Sequence, residues 1–114
     1  MIFDILKKFS FLISSYKIID YDYFATNYKL VIEIHINNRT KLYVRDYLFS
    51  DGKRKYSFHW QDEKGNCIIR WDNIPHHQTV DTFPFHQHIG KKEVVEDSVV
   101  MNLEKVLEYI DKNI

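Results

Sequence analysis

Between residues 30 and 72 the apolar residues recur at every second position, and that alternation constrains the fold more than any other feature of the chain. Leu30, Ile32, Ile34 and Ile36 alternate with Val31, Glu33 and His35. After the turn "NNRT", Leu42, Val44 and Leu48 alternate with Tyr43, Arg45 and Tyr47. Successive side chains of a strand point to opposite faces, so a period of two spells half-buried strands, and two such runs joined by a turn spell a hairpin. "SDGK" at 50–53 makes a second turn into Tyr56, Phe58 and Trp60, and "DEKGN" at 62–66 makes a third into Cys67–Asp72. The segment "KIIDYDYF" at 17–24 alternates only roughly and offers a fifth strand.

At both ends the period changes to that of a helix. Ile5, Leu6, Phe9, Leu12, Ile13 and Tyr16 form one stripe, which predicts a first helix of about four turns. Asp4, Lys7 and Lys8 interrupt its apolar run, and no small-residue cleavage site follows, which argues against a signal peptide. Leu103, Val106, Leu107, Ile110 and Ile114 form the second stripe, with Asn102 as N-cap and Glu104 in the first turn. The expected fold is therefore α+β: an antiparallel meander of four to five strands with an N-terminal and a C-terminal helix packed on one face, all in one domain over 1–114. Residues 73–98 show no period and are too long for a mere connector, since most links run to about 4–6 residues.

Sixteen basic and sixteen acidic residues balance, so no bulk field drives the chain onto nucleic acid or membrane, and no apolar run of membrane-spanning length occurs. Cys67 is the single cysteine, which excludes an intramolecular disulfide and suits a reducing cytoplasm; in the apolar phase of a strand it is a poor nucleophile.

The alternation also sorts the sheet faces. If Ile32, Ile34, Leu42, Val44, Phe58, Trp60, Ile69 and Trp71 face the helices, then Glu33, His35, Tyr43, Arg45, Tyr47, Ser57, His59, Arg70 and Asp72 share the other face. Polar residues on such a face serve cross-strand packing in many proteins. Here they also include a general base and guanidinium groups, the inventory of a ribonuclease that needs no metal. In that reading His59 and one of His76 and His77 exchange protons with the substrate, and Arg45 and Arg70 hold the phosphate. Asp72 orients a histidine, and Trp60 or Trp71 stacks a base if exposed. His86 and His88 join the substrate-binding residues. No cofactor and no metal is assigned. The lesser alternative is a metal-dependent hydrolase using the "HQH" of His86 and His88, with further ligands from Asp72, His76, His77 or Asp81.

The string "YSFHWQDEKGNCIIRWDNIPHHQTVDTFPFHQHIG" resembles the TumE family of small toxins. The matching elements are Tyr56 with His59-Trp60-Gln61-Asp62, Arg70-Trp71-Asp72-Asn73, Pro75-His76-His77, and Thr82-Phe83-Pro84 with His86 and His88. Phe85 stands where the family carries a histidine. The resemblance implies the toxin of a two-gene toxin–antitoxin system, neutralised by a helix-turn-helix antitoxin protein, and it brings no mechanism with it. RNA is the substrate expected under the nuclease reading; a homo-oligomer is compatible with everything above. The competing reading is a non-catalytic toxin or defence-associated protein that acts by binding a protein partner.

Overall fold

The computed structural model describes residues 2–77 and 79–114. Helix α1 spans Ile2–Lys8, and seven strands follow: β1 Ile13–Phe24, β2 Asn27–Ile36, β3 Lys41–Leu48, β4 Arg54–Gln61, β5 Cys67–Asp72, β6 His86–Ile89 and β7 Val94–Asp97. Helix α2, Leu103–Lys112, closes the chain. Strand order follows chain order and every neighbouring pair is antiparallel, so the sheet is an uninterrupted meander, open at β1 and β7.

The α+β class and the central hairpins match the sequence reading, while the strand count rises to seven. Two of the added strands lie inside the non-periodic stretch. β6 and β7 are four residues each, and the pairing of β6 with β5 and of β7 with β6, rather than any local pattern, defines them. The first helix is shorter than its stripe predicts. It ends at Lys8, and Phe9 and Leu12 still reach the core from the turn that follows, while Ile13 and Tyr16 belong to β1. The turn between β1 and β2 carries a non-glycine residue, Ala25, in the left-handed region at φ 53°, which hides it from a search for turn residues.

One hydrophobic cluster lies between the helices and the sheet. Ile2 and Leu6 of α1, and Leu103, Val106, Leu107 and Ile110 of α2, pack with Ile32, Ile34, Leu42, Val44, Phe58, Trp60, Ile69 and Trp71. The predicted core face is therefore the observed one. Tyr109 of α2 meets Trp71 edge-on at 5.3 Å between ring centroids, and Trp60 in the same manner. Asn102 caps α2 by accepting from the Lys105 amide at 2.8 Å. Arg54 grips the buried carboxylate of Asp46 with two hydrogen bonds of 2.9 and 2.8 Å and donates to the Met101 carbonyl, which ties β3 and β4 to the entry of α2. Among the described residues no helix is long and apolar enough to cross a membrane.

Candidate functional site

The face of the sheet turned away from the helices carries the polar residues, and the register lines them up in rows. One row runs Glu33, Tyr43, His59, Arg70, His88 across β2 to β6; the next runs Arg45, Ser57, Asp72, His86 across β3 to β6. Two different sites share these rows. Over β3, β4 and the near side of β5 the face is open; over the far side of β5 and β6 it is buried, with His77 of the following loop packed on it.

The open part is a cleft of about 440 Å³. Tyr43, Arg45 and Tyr47 of β3, Lys55, Ser57 and His59 of β4, and Arg70 of β5 line it. His59 stands against the Tyr43 ring at 6.5 Å and directly opposite Arg70. Burial, and then the neighbouring guanidinium of Arg70, hold His59 below the usual histidine range. The imidazole is therefore neutral at pH 7 and suited to accept a proton. Arg70 is held in place by Glu93, 2.8 Å from Nη1, and by Asp72, 3.4 Å from Nε.

The covered part is a cluster of imidazoles around one carboxylate. Asp72 is 2% exposed and His86 1% exposed. His86 Nε2 lies 2.7 Å from Asp72 Oδ1, and His88 Nε2 lies 3.4 Å from Oδ2. His77 comes down from the loop and meets both rings edge-on, at centroid distances of 4.8 and 5.4 Å. Backbone contacts hold the loop there: the Ile74 amide donates to Asp72 Oδ1, the Asp81 amide to Asp97, and the Ser98 amide to Thr82. Burial, and then Arg70, hold the His88 imidazole below the usual range.

The ten residues singled out in the sequence thus divide. His59, Arg70 and Arg45 meet in the open cleft. Asp72, His77, His86 and His88 meet under the loop, where Asp72 orients His86 and His88 rather than His59. His86 and His88 are buried, so they do not face a substrate on the open side. His76 is exposed on the loop and does not line the cleft. Trp60 and Trp71 are buried on the helix side, where Trp71 donates to Gln87 and Trp60 to Thr40, so neither presents a ring to the open face.

Lys55 was missed by the sequence reading, although it stands four residues before His59 and the same alternation puts it on the same face. Glu93, the partner of Arg70, carries no local signal. It is brought close only by the turn between β6 and β7.

A small α+β protein with an open basic and aromatic cleft beside a buried histidine cluster is the class this geometry defines. The chain matches the model of a family described as Toxin TumE over residues 2–114, and it belongs to that family. A toxin role, with an antitoxin as partner in general terms, follows from the membership. No curated protein and no solved structure matches the chain.

Proposed function

We propose that this toxin acts on RNA as an endoribonuclease whose cleavage step needs no metal, at the open cleft over β3, β4 and β5. The observation that carries the reading is a neutral imidazole, His59, in one cleft with two guanidinium groups and an ammonium. Alternate residues of a strand stand about 6.7 Å apart, so His59 and Lys55 flank Ser57 at that spacing on either side. Arg45 is the residue paired with Ser57. A phosphodiester seated over Ser57 and gripped by Arg45 and Arg70 then has a base on one side and an acid on the other.

His59 takes the proton of the ribose 2′-hydroxyl, and the 2′-oxygen attacks the adjacent phosphorus. The bond from phosphorus to the 5′-oxygen breaks, and the Lys55 ammonium gives that oxygen its proton, leaving a 2′,3′-cyclic phosphate. The guanidinium forks match phosphate oxygens and stabilise the charge that builds on them. Tyr43 and Tyr47 supply ring faces for the flanking bases. The test is cleavage of labelled RNA by the purified protein, with products mapped at their 3′ ends. Cyclic phosphate ends, lost when the 2′-hydroxyl is replaced by hydrogen and in His59→Ala, are expected. Undiminished cleavage in His59→Ala, or no cleavage of any RNA, overturns the reading.

A second reading, action through a protein partner, is favoured by a specific feature at the end of the β1–β2 and β3–β4 hairpins. Phe24 is 74% exposed and Phe49 about half exposed, around a hollow of about 500 Å³ that Tyr47 and Lys55 also line. Exposed aromatic residues of this kind anchor protein interfaces. An antitoxin seated there overlaps the cleft through Tyr47 and Lys55. Phe24→Asp is expected to weaken antitoxin binding in a pull-down while leaving RNA cleavage intact; retained binding counts against this surface.

A further inference from the structure

The cluster under the 73–85 loop has the construction of a metal site. His86 and His88 are two apart on β6 and so project from the same face, and His77 faces them from the loop. One ring nitrogen from each of the three lies within 4.8 Å of the others. A tetrahedral ion with bonds of about 2.0–2.1 Å holds its nitrogens roughly 3.4 Å apart, so a small inward movement of the rings closes the site.

The hydrogen bonds around His86 add a second, independent argument. Its Nδ1 lies 3.0 Å from the Pro84 carbonyl oxygen, which is an acceptor only, so Nδ1 carries the proton. Nε2 is then the nitrogen turned to Asp72 Oδ1 at 2.7 Å, and its lone pair would face a carboxylate lone pair. Such a contact needs something shared between the two atoms, a proton or a metal. A backbone carbonyl that fixes the tautomer and frees the other nitrogen is how ligating histidines are held. Asp72 reaches toward a second ligand as well, with Oδ2 3.4 Å from His88 Nε2.

We propose that His77, His86 and His88 bind one divalent transition-metal ion of the class that prefers imidazole, such as Zn²⁺, with Asp72 beside His86 and His88 to hold them. Three imidazole nitrogens suit that class and not Mg²⁺ or Ca²⁺, which take oxygen. The ion pins the loop to β5 and β6. Through Asp72 it also fixes Arg70, which faces the cleft on the other side. Its work is structural, so the proposal stands apart from the RNA reading: metal binding is measured without RNA, and either can fail alone.

The experiment uses the full chain, stripped with a chelator and titrated with Zn²⁺ in a calorimeter and with Co²⁺ by visible absorption. One equivalent is expected to bind, with the Co²⁺ spectrum of a tetrahedral nitrogen and oxygen site lacking thiolate charge-transfer bands. His77 is half-buried and comes from a loop, so His77→Ala is expected to keep the fold and lose roughly 100-fold or more in affinity. His76→Ala is expected to bind as the parent does. In the unmodified protein, histidine ring NMR signals of His77, His86 and His88 are expected to shift on adding Zn²⁺, while those of His35 and His59 stay. The absence of saturable binding, equal binding by His77→Ala, or shifts confined to other histidines overturns the site.

Discussion

Arg70 separates two sites that lie side by side on one face of one sheet. On its β4 side stands His59 in a cleft open to water; on its β6 side stand His88, Asp72 and His86, closed off beneath a loop. Both regions use the same residue types at the same strand phase. What differs is cover. In the open cleft, water remains beside the charged groups, so cations can stay unpaired and available to a ligand. Under the loop, every buried polar group must find a partner, and Asp72 duly meets His86, His88, Arg70 and the Ile74 amide. The cleft is arranged to interact with something else, the cluster mainly with itself.

The division is broken or sharpened most strongly by exchanging histidines. His59→Ala is expected to lower RNA cleavage by about 10²–10⁴-fold, the usual worth of a positioned base, whereas His77→Ala lowers it by a few-fold at most. Equal losses in single-turnover rates would merge the two regions into one active site. Stability reads the difference from the other side. Asp72→Ala leaves buried imidazoles and Arg70 without their carboxylate and is expected to cost about 3–5 kcal/mol in urea unfolding. Arg45→Ala, on the open face, is expected to change stability by no more than about 0.5 kcal/mol.

Arg45→Ala should instead weaken RNA binding and reduce the slope of log affinity against log salt by about 1, as expected for one lost phosphate contact. The smallest effect is in pH. Burial and Arg70 depress the His59 pKa, so its neutral form survives to lower pH than that of a free histidine. Cleavage is expected to decline at acid pH with a midpoint below the 6.5 of an ordinary histidine, and this limb is expected to vanish in His59→Ala. A limb at or above 6.5 would show that another group, or a differently placed imidazole, supplies the base.

Much of the central sheet is legible because β2 to β5 bury one face and leave the other polar, so the period of two is written in their apolar residues. The same logic fails at β6. His86 and His88 are its buried positions, on the face away from the helices, and histidine in place of isoleucine conceals the alternation. β1 is legible only in its 17–24 part, which the sequence offers as a strand: as an edge strand largely exposed it is under little pressure to alternate, and a helical stripe from Ile5 to Tyr16 runs across the boundary into its first residues. Phe9 and Leu12 fit that stripe because a turn can deliver them to the same core. For the site, the inventory was readable and its partition was not. Every residue of the histidine cluster stands out in the sequence, but strand phase puts Asp72 and His59 on one face and says nothing of what covers it.

By itself the sequence determined the α+β class, the central meander, the face on which the charged residues lie, and the family. The first three follow from local periodicity and short-range turn chemistry, which each segment carries within itself, and the family from the string of motifs between Tyr56 and His88. Only the tertiary structure decided that residues 86–97 add two strands and that His77 closes over His86 and His88. It also decided that Lys55 and His59 share a cleft from which both tryptophans are turned away. Those outcomes depend on pairing and burial between residues distant in the chain, where the gain comes from desolvating and satisfying polar groups together, and no single segment encodes that.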